Sequence, residues 1–198
     1  MKWIVITRPD FFAGEAACIG RLFDAGIDFL HLRKPGSTAQ QCAGLLGSID
    51  PQWYGRIIMH DHFGLCCEYG LGGIHLNSRH PDAPDGFGGH VSCSCHSLGE
   101  VASRKPSSHY VFLSPIFDSI SKSGYASRFT PAMLDEAASQ SLIDSRVVAL
   151  GGISPACLPA LSRWHFGGAA FLGAVWQQMD APDEASWLRQ LEQAIHAL

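Results

Sequence analysis

The chain of 198 residues has few charges, no excess of basic residues and no long hydrophobic run. Charged residues make up 16%, and the formal net charge is −4. Nonspecific nucleic-acid binding requires a basic surface, so we expect no nucleic-acid partner. No apolar run reaches the roughly 18 residues of a membrane span, and segment 1–8 lacks the long apolar core of a signal peptide. We therefore expect no membrane association and a cytoplasmic location.

Several chemical motifs are also missing. The seven cysteines are odd in number, and neither Cys66-Cys67 nor Cys93-Ser-Cys95 has the two-residue spacing typical of zinc pairs. We expect reduced thiols that serve a structural role. No G-x-G-x-x-G turn follows the first strand, which disfavours an open dinucleotide-binding sheet. The absence of a G-x-S-x-G elbow argues against an α/β-hydrolase.

The chain does contain a regular alternation of short apolar runs and helical patterns. Helices are predicted at Phe12–Ala25 and Thr38–Ser48, and a last helix is predicted with Asp180 as its cap and Pro182 in its first turn. Segment 77–89 is rich in Pro, Gly and Asp and predicts a loop. The eight predicted strands are Trp3–Thr7, Phe29–Leu32, Arg56–Met59, Gly73–Leu76, His90–Ser92, Tyr110–Leu113, Val147–Leu150 and Ala169–Leu172.

Eight strand–helix units predict a compact (β/α)₈ TIM barrel with eight parallel strands, formed as a single domain over residues 1–198. An open doubly wound sheet is the alternative. In a barrel the functional groups lie at the C-terminal strand ends. Strand two ends in Arg33 and Lys34, which bring positive charge to that end. Strand three is followed by Asp61, a candidate metal or acid–base carboxylate, and strand five leads to Ser94 and His96.

The later strand ends suit a phosphate group. Strand six leads into a loop with Ser119, Ser121 and Lys122, whose hydroxyls and ammonium offer several donors and one point charge to an anion. Strands seven and eight end at Gly151-Gly152 and at Gly173. Glycines there allow backbone N–H groups to approach an anion closely, although they equally suit tight turns.

The ten histidines do not by themselves assign a metal. On a strand, His60 and His62 would share one face while Asp61 points the other way. We interpret the histidines as satisfied or surface side chains in preference to a zinc site.

These segments together resemble the thiamine-phosphate synthase/TenI family over almost the full chain. The Pro-Ile-Phe stretch that ends in Ser-x-Ser-Lys is the most specific of them. The matching segments are His31–Arg33, Ile57–Asp61, Gly73–Leu76, Ser94–Glu100, Ser114–Lys122, Val148–Ile153 and Gly168–Ala174.

The resemblance implies a (β/α)₈ barrel that joins hydroxymethylpyrimidine diphosphate to thiazole phosphate and releases pyrophosphate. The implied reaction is dissociative: a pyrimidine carbocation forms first, and the thiazole nitrogen then attacks it. The substrates are phosphorylated small molecules, and Mg²⁺ is the implied cofactor. A homodimer is one assembly compatible with the sequence.

The resemblance also implies roles for individual residues. Ser94 lies near the pyrimidine and the leaving group, and Asp61 is one Mg²⁺ carboxylate. The pyrophosphate side is held by Arg33, Ser119, Ser121 and Lys122, with His31 and Lys34 as further binding candidates. Gly152 and Gly173 help to cradle the thiazole phosphate, and Gly151 is a further phosphate-binding candidate.

The sequence departs from the synthase pattern at several positions. His31 and His60 stand where synthases usually carry Gln and Asn. His80 stands at the second Mg²⁺ aspartate, with Asp82 two residues further on. A TenI-type thiazole tautomerase, with His96 or His31 as the base, is therefore an alternative function. A non-catalytic barrel that binds a phosphate ligand is another.

Overall fold

Eight parallel strands close into a barrel in which each strand pairs with the next along the chain and the last pairs with the first. The structure is a computed structural model and describes residues 1–118, 127 and 129–197. The predicted (β/α)₈ barrel is confirmed. The strands are β1 Lys2–Ile6, β2 Phe29–Leu32, β3 Ile57–Met59, β4 Gly73–Leu76, β5 His90–Cys95, β6 Tyr110–Leu113, β7 Val147–Leu150 and β8 Gly168–Phe171.

Helices surround the barrel, joined to it by loops and short 3₁₀ turns. The 3₁₀ turns lie at Pro51–Arg56, Lys105–Ser107 and Pro155–Cys157. Among the described residues the α-helices are α1 Glu15–Asp24, α2 Ala39–Leu46, α3 Gly64–Tyr69, α4 Leu98–Arg104, α5 Pro131–Ser139, α6 Leu158–Arg163, α7 Gly173–Trp176 and α8 Glu184–His196. No helix in these described ranges combines the length and the hydropathy that a membrane span requires.

Local sequence explains where several helices begin. Thr38 caps α2 through a reciprocal capping box with Gln41, and Ser97 caps α4 by accepting the backbone N–H of Glu100. These bonds satisfy backbone donors that a helix start leaves without partners. Segment 77–89 contains no helix, as predicted.

The predicted start of the last helix is wrong. Asp180 has a positive φ of 66°, and its carboxylate accepts a hydrogen bond from Arg21 at 2.7 Å, so it is not available as a cap. The helix begins at Glu184, after Pro182. The helix packs on the barrel through the buried side chains of Leu188 and Leu191.

Two apolar layers hold the barrel together. The outer layer lies between strands and helices and includes Trp3, Leu22, Leu46, Val111, Leu161 and Leu191. The inner layer fills the barrel with side chains from β1, β6, β7 and β8, namely Ile4, Ile6, Tyr110, Phe112, Val148 and Ala170. The interior side chains from β2, β4 and β5 are largely polar, and they lie under the candidate site.

Candidate active site

Three histidines from neighbouring strands meet inside the barrel, below the C-terminal strand ends. His31 on β2, His60 just after β3 and His75 on β4 are all buried. His31 Nδ1 lies 2.9 Å from His60 Nε2, and His31 Nε2 lies 2.6 Å from the hydroxyl of Tyr110. Burial lowers the pKa of His31 and His60 well below the ordinary value and lowers that of His75 to about 3. The three rings are therefore neutral near pH 7 and act as hydrogen-bonding groups.

His31 and His75 have hydrogen-bond partners inside the barrel, and the interpretation of the histidines as satisfied side chains in preference to a zinc site stays a prediction. One nitrogen from each of the three rings lies within 4.8 Å of the others, but His31 already uses both nitrogens in hydrogen bonds. The predicted shared face of His60 and His62 is wrong. Because β3 ends at Met59 and His62 has a φ of 54°, the strand alternation stops, and His62 Nε2 instead contacts the carbonyl oxygen of Ser37 at 2.8 Å.

Ser94 is held in place from below by His75. The strand β5 extends to Cys95, three residues beyond its predicted end, so Ser94 lies on the strand and not in the following loop. His75 Nε2 lies 2.9 Å from Ser94 Oγ, and its Nδ1 lies 2.9 Å from Ser92 Oγ. The neutral imidazole thus orients the Ser94 hydroxyl at the edge of a cavity of about 270 Å³. The polar side chains that line this cavity are Asn77, Ser78, Ser94, His96, Glu100 and Arg104.

His96 lies beside the loop that follows β6. Its Nδ1 is 3.1 Å from the carbonyl oxygen of Ser114 and 3.3 Å from the hydroxyl of the same residue. Its backbone N–H donates to Glu100 Oε2 at 2.6 Å. The imidazole ring therefore lines the cavity at a position from which it reaches the β6 end.

Asp61 forms a tight polar cluster with residues that follow β4. Its Oδ1 accepts from Arg79 Nη2 at 3.0 Å and lies 3.2 Å from His80 Nε2. Arg79 Nη2 also donates to Asp61 Oδ2 at 3.2 Å. The position at which the resemblance expects the second Mg²⁺ carboxylate is thus occupied by a histidine that contacts the first carboxylate.

The two cations at the end of β2 have different surroundings. Arg33 is half-buried, and among the residues that the structure describes its guanidinium has no hydrogen-bond partner. Burial, followed by the charge of Arg79, lowers the pKa of Arg33. Lys34, in contrast, is fully buried and its Nζ lies 2.5 Å from Glu15 Oε1. Its predicted role in phosphate binding is therefore contradicted by the geometry, because the ammonium is committed to a buried ion pair.

The predicted role of His31 in substrate binding is also contradicted by the geometry. Its side chain is 0% exposed and both ring nitrogens have partners inside the barrel. It lies under the site and offers no atom to a ligand. This also removes His31 as a candidate base, whereas His96 keeps access to the cavity.

The glycines after β7 and β8 differ in what they contact. Gly151 and Gly152 have φ values of 91° and 66°. A Cβ on Gly152 would lie 2.6 Å from the carbonyl oxygen of Asp118, so close approach of the β6 loop by itself requires a glycine there. Gly173 has open space at its Cβ position and begins α7. Phosphate binding by the three glycines stays a prediction, and the predicted clamp residues Ser119, Ser121 and Lys122 lie outside the described residues.

Sequence reasoning missed the residues that surround the predicted ones. Arg79 and Asn77 follow β4, so the rule that selected the other strand ends could have found them. Ser92 and Tyr110 give no local signal, because their roles depend on which side chains face them across the barrel.

A closed parallel barrel with polar and cationic side chains at the C-terminal ends of β2 to β5 defines a (β/α)₈-barrel enzyme, in which chemistry is performed at that end. The chain matches the thiamine monophosphate synthase (TMP-TENI) family over residues 3–175. It therefore belongs to this family.

Individual relatives agree with that membership. A thiamine phosphate pyrophosphorylase from Bacteroides thetaiotaomicron has 42% sequence identity and a TM-score of 0.89, covering 99% of this chain and 98% of that one. The thiamine-phosphate synthase of Serratia proteamaculans (strain 568) is 29% identical over 190 residues, 89% of this chain and 86% of the relative. A thiamine phosphate pyrophosphorylase from Pyrococcus furiosus has 17% identity and a TM-score of 0.78 over 99% of this chain and 96% of its own, which shows the shared fold.

Proposed function

We propose that the protein is a thiamine-phosphate synthase that joins hydroxymethylpyrimidine diphosphate to thiazole phosphate and releases pyrophosphate. The proposal is carried by the similarity to the Bacteroides pyrophosphorylase, which extends over 99% of this chain. In the reaction the bond between the pyrimidine methylene carbon and the diphosphate oxygen breaks, and its electron pair stays on the diphosphate. The lone pair of the thiazole nitrogen then forms the new carbon–nitrogen bond.

Arg33 and Ser94 are the described residues best suited to the diphosphate. Arg33 is a half-buried guanidinium without a partner among the described residues, and such a fork matches phosphate oxygens. Ser94 is oriented by His75, whose Nε2–H can donate to Ser94 Oγ while Nδ1 accepts from Ser92. That tautomer leaves the Ser94 hydroxyl proton for a diphosphate oxygen.

His75 would act as a positioning residue and not as an acid or a base. Burial and the charge of Arg33 lower its pKa to about 3, so at neutral pH it is a neutral imidazole that donates a hydrogen bond through Nε2–H and is not charged to act as a general acid. Ser119, Ser121 and Lys122 are proposed as the clamp on the far side of the diphosphate, and Gly151, Gly152 and Gly173 as the cradle of the thiazole phosphate. A cytoplasmic location and a homodimer stay predictions.

Magnesium is the cofactor that the resemblance implies, with Asp61 as its ligand. The residues present do not fit that ion well. Mg²⁺ takes oxygen ligands in an octahedral arrangement, whereas the Asp61 carboxylate is already in contact with Arg79 and His80. We therefore assign no step of the reaction to a bound metal.

A turnover assay tests the proposal. Purified protein is incubated with the two substrates, with and without Mg²⁺, and thiamine phosphate and pyrophosphate are measured together. Equal amounts of both products are expected. Ser94→Ala should lower kcat about tenfold or more, since a hydrogen bond to a charged group is lost. Ser103→Ala, an exposed serine on α4, is the matched control, and folded protein that forms neither product would refute the proposal.

A thiazole tautomerase is the second candidate, and the position of His96 favours it. The resemblance to TenI-type tautomerases implies a base in the loop after strand six, and here His96 Nδ1 reaches Ser114 at that strand end. His96 would move a proton on a thiazole carboxylate phosphate. Proton NMR of that substrate with wild type and His96→Gln decides the case: isomerisation lost only in the variant supports this function, and no isomerisation by wild type removes it.

A further inference from the structure

The carboxylate of Asp61 is paired with the guanidinium group of Arg79. Arg79 contacts both carboxylate oxygens, at 3.0 Å to Oδ1 and 3.2 Å to Oδ2, and His80 Nε2 adds a contact at 3.2 Å. The side chain of Asp61 is only 15% exposed. Neither a guanidinium nor an imidazole belongs to the oxygen ligands that Mg²⁺ prefers. A divalent cation would have to displace Arg79 from the Asp61 carboxylate.

The turn that follows β4 holds Arg79 in this place. Asn77 and His80 exchange two backbone hydrogen bonds, at 3.0 and 3.1 Å. The side-chain oxygen of Asn77 accepts from the backbone N–H of Arg79 at 3.0 Å, and its amide donates to the carbonyl oxygen of His60 at 3.0 Å. The two backbone hydrogen bonds close the turn, and the bond to His60 connects it to the end of β3. The backbone oxygens of Asn77 and His80 and the side-chain oxygen of Asn77 are used inside the turn.

Arg33 is a second cation near Asp61 and Arg79. The charges of Arg79 and Asp61 both act on it, so the three groups lie near one another. Two guanidinium groups and one carboxylate leave one positive charge in excess. The side chain of Arg79 is 49% exposed, so the group that pairs with Asp61 also reaches solvent at the strand ends. An excess of guanidinium charge, with Arg33 lacking a partner among the described residues, suits a phosphate-type anion.

We propose that Arg79 and Arg33, and not a divalent cation, neutralise the diphosphate group at this site. The inference rests on the proposed transferase activity, because the diphosphate is the leaving group of that reaction. As the carbon–oxygen bond breaks, the electron pair stays on the diphosphate and the two guanidinium groups offset the added charge. Asp61 is then a positioning residue that orients Arg79.

Calorimetric titration of the whole protein with inorganic pyrophosphate tests the inference without turnover. Titrations are made in EDTA and in excess Mg²⁺. We expect wild type to bind pyrophosphate in EDTA, and Arg79→Ala to bind it about tenfold or more weakly there. Arg79→Lys should lose less, because lysine keeps the charge but not the two-pronged geometry. Arg163→Ala is the matched control, since Arg163 pairs with Asp135 at 2.5 Å on the outer helices.

Two results would overturn the inference: loss of pyrophosphate binding by wild type in EDTA with recovery in Mg²⁺, or equal affinity of wild type and Arg79→Ala in EDTA. Circular dichroism of each variant verifies that it is folded. Parallel turnover assays separate this inference from the proposed function. Turnover and binding that both require Mg²⁺ would refute the arginine role and keep the synthase, whereas binding in EDTA without turnover in any condition would keep the arginine role and refute the synthase.

Discussion

Replacing Lys34 by methionine should destabilise the fold strongly and leave the affinity for phosphate ligands nearly unchanged. The Lys34 ammonium is buried against Glu15 at 2.5 Å and also donates to the carbonyl oxygen of Asp10 at 2.7 Å. Glu15 is 2% exposed, and its Oε2 has no hydrogen-bond partner among the described residues. Methionine keeps most of the volume but leaves the carboxylate buried without a countercharge.

The size of the effect follows from that geometry. Removing one partner of a buried ion pair costs about 4 kcal/mol. For a chain of this length, each kcal/mol moves the melting temperature by about 3 °C, so the midpoint should fall by about 12 °C. Thermal and urea unfolding followed by circular dichroism measure both quantities.

The dependence of this loss on pH gives an internal check. Burial raises the pKa of Glu15 above its ordinary value. A carboxyl group with a raised folded pKa stabilises the fold below its unfolded pKa and loses that contribution as the pH rises through the folded pKa. The deficit of Lys34→Met should therefore shrink as the pH falls toward about 4.

A double variant tests whether the loss of stability comes from an unpaired buried charge. In Glu15→Gln/Lys34→Met both charges are gone, so much of the lost stability should return. If Lys34→Met were as stable as wild type but bound pyrophosphate far more weakly, the lysine would act on the ligand and the structural role assigned here would be wrong.

Three further predictions concern the barrel interior and the glycine turn. Tyr110→Phe leaves His31 Nε2 without its partner at 2.6 Å and should cost about 1–3 kcal/mol in urea unfolding; unchanged stability would contradict this hydrogen bond. Gly152→Ala places a Cβ 2.6 Å from a backbone oxygen at a φ of 66° and should cost at least about 1 kcal/mol, whereas Gly173→Ala, with open space at its Cβ, is the control that should melt like wild type. Because the folded pKa of His75 is lowered to about 3, its stabilising contribution is present above about pH 6.5 and is lost as the pH falls. His75→Gln should reduce the acid slope of the unfolding free energy by about 1.4 kcal/mol per pH unit in that window, and an unchanged slope would show that His75 does not titrate on unfolding.

The strands and several helix ends could be predicted because their signals are local. Runs such as Val147–Leu150 are apolar on both faces, as buried parallel strands require, and all eight predicted strands are present. Thr38 lies three residues before Gln41, which is a capping-box spacing, and the helix begins directly after it.

The errors occur where a distant residue decides the local structure. Asp180 was a reasonable cap by residue type, but Arg21, 159 positions earlier, holds its carboxylate. Lys34 had the charge and the strand-end position of a phosphate ligand, but Glu15 on α1 buries it. Ser94 was predicted beyond its strand, whereas pairing with Phe112 keeps it on the strand and turns it inward.

The sequence by itself therefore determined the class of fold, the strand ends that carry polar groups and the family to which the chain is similar, because periodicity, turn residues and motif spacing are properties of neighbouring residues. Only the tertiary structure decided which of those groups reach a ligand. His31, His75 and Ser94 lie on three different strands. Closure of the barrel buries His31, places His75 where it orients the Ser94 hydroxyl, and leaves Ser94 at the edge of the cavity. The pairing of Arg79 with Asp61 arises in the same way, since it joins residues 18 positions apart at the ends of two adjacent strands.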